Sequence, residues 1–239
     1  EAGLGLFIHW GISSVHGSVD LSWGMMADTP WQTANKITPA EYFALAQRFR
    51  LERFDPDRWL RAASRAGFRY AVLTVRHEDG YTLWPSDHGE FGTRTHMDGV
   101  DLVGPFVEAC RKNGLKIGFY YSPDGWYENR DVMSFSYRRS EPASGRQLDV
   151  NHEVGASPEK PVGWRDQITE VAHGHIRELL TRYGPIDLLW FSGGPEVISI
   201  EELRNLQPGI VLNSRMHGYG DFETPEGVMP YDRPARDIW

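Results

Sequence analysis

The chain is poor in several things, and each lack removes a class of function. It has one cysteine, Cys110, so it forms no internal disulfide, and cysteine usage leaves the compartment open. It has no apolar run approaching the roughly 20 residues needed to cross a bilayer, so no membrane insertion is expected. It lacks basic charge: 25 Lys and Arg stand against 33 Asp and Glu, for a formal net charge of −8. An acidic surface gains nothing from nucleic acid or an anionic membrane. Missing too are a fixed short repeat, a low-complexity tract and a glycine-rich phosphate fingerprint after the first apolar run. The chain enters the apolar run Leu4-Gly5-Leu6-Phe7-Ile8 with no initiating Met or signal peptide before it. An upstream segment is therefore expected.

Aromatic side chains are abundant, with 9 Trp, 10 Tyr and 11 Phe. Two readings stay open: flat apolar faces for sugar rings, or filling for a large barrel core. A length of 239 residues fits one large α/β domain over 1–239, with no second domain inside the chain.

Short apolar runs alternate with amphipathic stretches, as βα units with parallel strands require. Strands are expected over Gly5 to Trp10, Tyr70 to Val75, Lys116 to Tyr121, Asp187 to Phe191 and Ile210 to Asn213. Leu102, Val103, Phe106, Val107 and Cys110 recur at helical spacing, as do Ile168, Val171, Ala172, Ile176, Leu179 and Leu180. A third helix should follow Thr38-Pro39 with Glu41 completing a capping box, and a fourth should start near Pro56. Ala66-Gly67-Phe68 and Asn113-Gly114-Leu115 both read as helix, glycine cap, strand. That phrase favours a (β/α)8 TIM-like barrel over a sandwich, with a doubly wound sheet as the alternative. Five strands are fewer than eight, and no closing helix precedes Trp239. The barrel is therefore expected to be incomplete at the C-terminus of this sequence.

Barrels of this kind place their active sites at the carboxyl ends of the strands. Those ends carry His9 and Trp10, then Arg76-His77-Glu78-Asp79, then Tyr120, Tyr121 and Trp126, then Trp190 and Ser192, then Asn213-Ser214-Arg215. Any one of them has a plain alternative as a satisfied loop or core polar group. Five ends together suit a pocket for a small polyhydroxylated ligand. A metal-dependent hydrolase would draw on His9, His77 and Asp79, but no His-x-His pair or supporting pattern accompanies them. No cofactor motif is present.

Five segments, in order, carry a resemblance. Leu6-Phe7-Ile8-His9-Trp10-Gly11, Leu73 to Trp84, Gly118 to Ser122 with Trp126, Tyr183 to Gly193, and Gly220 to Glu226 resemble the successive motifs of the alpha-L-fucosidases of glycoside hydrolase family 29. The resemblance implies a retaining hydrolase of terminal alpha-L-fucosides or a related L-sugar, with a small carbohydrate or glycan as partner. A strand-end carboxylate would attack the anomeric carbon while a second carboxylic acid protonates the leaving oxygen. It implies Glu226 as acid/base, and His9, Trp23, His77, Glu78, Tyr121, Trp190 and Arg215 around the sugar. It also suggests a secreted or periplasmic setting and a following C-terminal β-sandwich. Oligomeric state is not legible.

Three positions depart from the family pattern. Glu78 stands where a second histidine is common, Ser22 where an acidic residue precedes the pocket tryptophan, and Ser192 where the nucleophilic Asp belongs. A serine hydroxyl is a weak nucleophile without an adjacent base and brings no negative charge to an oxocarbenium-like transition state. Engineering, divergence with another carboxylate taking over, and loss of hydrolysis with sugar binding kept all account for Ser192. Glu78 and Glu196 are the candidate substitutes. Asp187 is not one, because strand alternation turns it away from Trp190 and Ser192.

Overall fold

The computed structural model describes residues 3–17, 21–30, 36–137, 147–155 and 159–225. Seven strands are described: β1 (Gly5–Ile8), β2 (Tyr70–Arg76), β3 (Lys116–Tyr121), β4 (Gln147–Leu148), β5 (Val154–Gly155), β6 (Leu188–Phe191) and β7 (Val211–Leu212). The helices are α1 (Pro39–Ala44), α2 (Pro56–Arg65), α3 (Thr93–His96), α4 (Val103–Lys112), α5 (Trp126–Asn129), α6 (Trp164–Arg182) and α7 (Ile200–Leu206).

Five strands form one parallel sheet in the order β1-β2-β3-β6-β7. Each new strand joins the same advancing edge. A doubly wound sheet would reverse direction at a switch point, and no reversal occurs among the described strands. β4 and β5 make a separate antiparallel pair inserted before α6.

The five expected strands are all present. The first is shorter than its apolar run, because the Trp10 N–H leaves the ladder and donates to Thr74 Oγ1 at 3.0 Å. Each expected helix is also present. Thr38 caps α1 in the expected box: Glu41 N–H donates to Thr38 Oγ1 at 3.2 Å and Thr38 N–H to Glu41 Oε2 at 2.8 Å. Asp55 caps α2, accepting from Arg58 N–H at 2.9 Å. Gly67 (φ +91°) and Gly114 (φ +68°) turn the chain from helix to strand in left-handed conformations, which L side chains adopt at a cost.

Strand alternation gives the sheet two unlike faces. Ala71, Leu73 and Val75, then Ile117, Phe119 and Tyr121, then Leu189 and Phe191 are buried in the main apolar core. Leu60 and Ala63 of α2, Phe106, Val107 and Cys110 of α4, and Ile176, Leu179 and Leu180 of α6 belong to that same core. The intervening residues, Phe7, Tyr120 and Trp190 among them, turn to the other face. Burial on the helix-covered face is the main source of stability, at roughly 25 cal/mol per Å² of apolar surface.

Candidate active site

The second face carries a cluster of rings. Phe7 stacks on His9 at 4.7 Å between centroids and meets Trp190 edge-on at 5.1 Å. His77 stacks on Tyr120 at 5.5 Å and lies 5.8 Å from His9. Four strands thereby bring His9, His77, Tyr120 and Trp190 together at their carboxyl ends. Phe222, on the loop after β7, meets Trp190 at 5.4 Å.

The second half of the site is a polar relay. Ser22 is fully buried, and its Oγ lies 2.5 Å from His77 Nδ1. The same Oγ accepts the Asp79 N–H at 3.0 Å. Asp79 is itself saturated: Tyr42 O–H donates to Oδ2 at 2.8 Å and Tyr81 N–H to Oδ1 at 2.8 Å. Burial still raises the Asp79 carboxyl above its ordinary value, against the pull of His77 and those donors. Trp23, next to Ser22, meets Trp126 edge-on at 5.0 Å, and Trp126 N–H donates to the Glu78 carbonyl at 2.8 Å.

Ser192 lies one residue past β6, half-buried, with its N–H donating to the Tyr121 carbonyl at 3.1 Å. Asn213 closes on the end of this strand: its Oδ1 accepts the Phe191 N–H and its Nδ2 donates to the Phe191 carbonyl, each at 2.9 Å. Gly193 (φ +123°) and Gly194 (φ +88°) then form the mouth.

Glu78 faces this point. The Ser122 and Ser192 hydroxyls and Arg76 favour its charged form, while burial and Asp124 oppose it. Burial wins, and the carboxyl is raised to about 7. Its Oε2 is buried and accepts no hydrogen bond; the nearest cationic candidate is His77 Nδ1 at 3.9 Å. Arg76 holds the floor. Its guanidinium donates to the Gly80 carbonyl at 3.2 Å, to the Ser122 carbonyl, and to Glu128 Oε2 at 3.2 Å.

The structure also moves some expected residues away from the rings. Tyr121, expected at the sugar, is fully buried on the opposite face, where its hydroxyl meets His175 Nδ1 at 2.9 Å. Alternation within β3 sends Tyr120 to the pocket side instead. Arg215 grips the loop ahead of Glu226: Nε donates to Thr224 Oγ1 at 2.7 Å and the guanidinium to the Thr224 carbonyl at 3.0 Å. Glu226 itself lies outside the described residues. Glu196 is exposed, and Asp187 sits at the far end of its strand, tied to Lys116 at 2.7 Å and to Ile117 N–H at 2.9 Å. Among the described residues no group of three or more His, Cys, Asp or Glu is arranged to hold a metal ion.

A model of the alpha-L-fucosidase family matches residues 1–234. The chain belongs to the alpha-L-fucosidase family. The tissue alpha-L-fucosidase of Mus musculus is 33% identical over 135 residues, covering 53% of this chain and 30% of its own length. The alpha-L-fucosidase of Dictyostelium discoideum is 25% identical over 206 residues, 79% of this chain and 39% of its own. The chain thus spans well under half the length of these fucosidase relatives. Among solved structures, alpha-L-fucosidase isoenzyme 1 from Paenibacillus thiaminolyticus superposes with a TM-score of 0.73 at 28% identity. That match covers 95% of this chain and 54% of the Paenibacillus chain. A family 29 alpha-L-fucosidase from Bacteroides thetaiotaomicron, at 21% identity and a TM-score of 0.63, shares the fold.

Proposed function

We propose that the chain is the catalytic barrel region of a glycoside hydrolase acting on terminal alpha-L-fucosides or a related L-sugar. One observation carries the reading: four strand ends bring His9, His77, Tyr120 and Trp190 into one ring cluster, with Glu78 and Ser192 close by. Aromatic faces bind the apolar faces of a sugar ring, and histidine nitrogens exchange hydrogen bonds with its hydroxyls. On this reading the five parallel strands are part of a (β/α)8 TIM-like barrel. Family resemblance adds Glu226 as acid/base and Arg215 near the anomeric face; Arg215 supports that loop through Thr224. Trp23 closes one wall.

Ser192 favours a second reading, a carbohydrate-binding protein on the same scaffold without hydrolysis. Release of phenol from an aryl alpha-L-fucoside, measured beside calorimetric binding of fucose, separates the two. Turnover well above buffer supports the hydrolase, and fucose binding without turnover supports the second reading. Neither turnover nor binding would overturn both.

A further inference from the structure

Resting on the sugar-binding reading of the pocket, we propose that Ser22 decides the sense of the hydrogen bond that His77 offers a ligand. Ser22 donates its hydroxyl proton to His77 Nδ1 and so holds the ring neutral, with its own proton on Nε2. His77 then meets the sugar as a donor, and Ser22 is a positioning residue that never touches the ligand.

A count of donors and acceptors gives the direction. Ser22 is fully buried, so bulk solvent satisfies neither its proton nor its lone pairs. Its Oγ already accepts the Asp79 N–H at 3.0 Å. One hydroxyl proton remains to be placed, and His77 Nδ1 lies 2.5 Å away. The competing acceptor near this hydroxyl is Tyr42 Oη, which gives its own proton to Asp79 Oδ2 at 2.8 Å. An imidazole nitrogen is far more basic than a phenol oxygen, so the serine proton goes to Nδ1. The nearest carboxylate oxygen, Glu78 Oε2, stands 3.9 Å from Nδ1, too far to take a hydrogen bond from it.

The surroundings hold this arrangement in place. Tyr42 O–H and Tyr81 N–H each fix one carboxylate oxygen of Asp79 at 2.8 Å, so the amide that orients Ser22 is itself anchored. Tyr120 stacks on the His77 ring at 5.5 Å and 14°, which sets the plane in which its nitrogens lie.

The consequence turns on a departure from the family pattern, which has an acidic residue where Ser22 stands. A carboxylate accepts and never donates. In the same place it would draw the ring proton onto Nδ1 and leave Nε2 an acceptor. Serine reverses that polarity. With its proton on Nε2, His77 pairs with a lone pair on a sugar oxygen and cannot take up a proton there, so its role is recognition and not proton transfer.

Nitrogen-15 NMR of the histidine-labelled full chain tests this at about pH 8, where a histidine of ordinary pKa is neutral. His77 signals are assigned by their loss in His77→Gln. Wild type should show a protonated Nε2 and an unprotonated, hydrogen-bonded Nδ1. Ser22→Ala should shift the Nδ1 signal, since its donor is gone, and Ser22→Thr, which keeps a hydroxyl, should bring it back toward the wild-type position. A protonated Nδ1 in wild type, or an Nδ1 signal unmoved by Ser22→Ala, would overturn the proposal; the wild-type spectrum decides even where a variant fails to fold. Added fucose should move Nε2 more than Nδ1. A wild-type ring with the expected tautomer and no response to fucose would instead overturn the sugar-binding reading and the recognition role with it.

Discussion

The side-chain amide of Asn213 replaces a missing strand partner for Phe191, accepting its N–H and donating to its carbonyl, each at 2.9 Å. Asn213 is fully buried, so both bonds form away from water. They fix the last residue before Ser192 and so aim the mouth of the site.

Replacing Asn213 with leucine would therefore leave both backbone groups of Phe191 without these partners. The expected cost is about 2–4 kcal/mol, seen as a drop in Tm of roughly 4–16 °C by calorimetry. An unchanged Tm would show that the clasp contributes nothing.

Ser22 supports His77 through one oxygen that also satisfies the Asp79 amide. Ser22→Ala removes the acceptor for that buried N–H and the partner that fixes the His77 ring. Affinity for fucose is expected to fall about tenfold, equivalent to about 1.4 kcal/mol, with the change read by calorimetry. A fucose affinity equal to wild type would detach Ser22 from sugar recognition.

Stability should depend on pH through Glu78. The folded chain holds this proton more tightly than the unfolded one, since the carboxyl rises from 4.5 to about 7. The stabilising contribution is complete below about 4.5 and is lost as pH climbs through 7. At pH 8 the buried charge costs on the order of 3 kcal/mol. Glu78→Gln keeps the shape without the charge, so it should raise Tm by about 5 °C or more at pH 8 and by little at pH 4. Equal gains at both pH values would place the effect elsewhere than in the titration.

Ser192→Asp restores the family pattern at one position but sets a second carboxylate beside Glu78. Like charges at close range oppose each other's ionisation, so the single variant should gain less activity than Ser192→Asp combined with Glu78→His. The double variant is expected to give retained alpha-L-fucose and at least tenfold more turnover than either single change, measured on an aryl fucoside. Failure of the pair would mean that the pocket has diverged beyond these two positions.

The sheet was legible because buried parallel strands are continuous apolar runs, and glycine caps such as Gly67 and Gly114 marked where each began. His9, His77 and Trp190 were found from their places at strand ends. Tyr121 and Tyr120 were harder: both follow the same apolar run, and a one-residue shift in strand phase exchanges pocket for core. Helix α7 carries a local signal of its own, since Ser199 Oγ accepts from Glu202 N–H at 3.1 Å as an N-terminal cap. The β4–β5 hairpin offers two residues per strand and too little pattern to detect. The Ser22–His77 contact joins residues 55 apart in sequence, and nothing local predicts it. In sequence Asn213 is a polar strand end and no more; its role depends on β6 lying alongside.

Arg76 is a single buried cation shared by several acids. Glu128, Asp79 and Glu78 all act on it, while Asp124 adds a further negative charge beside Glu78. Burial pushes the Glu78 and Asp79 carboxyls toward their neutral forms, so the negative charge around Arg76 grows as pH climbs through about 7. A sugar that becomes cationic as its glycosidic bond stretches would feel that field even with a neutral hydroxyl at 192. The charge missing from Ser192 is thus a local subtraction from a negative neighbourhood. On the hydrolase reading, that neighbourhood would have to supply the charge that residue 192 does not.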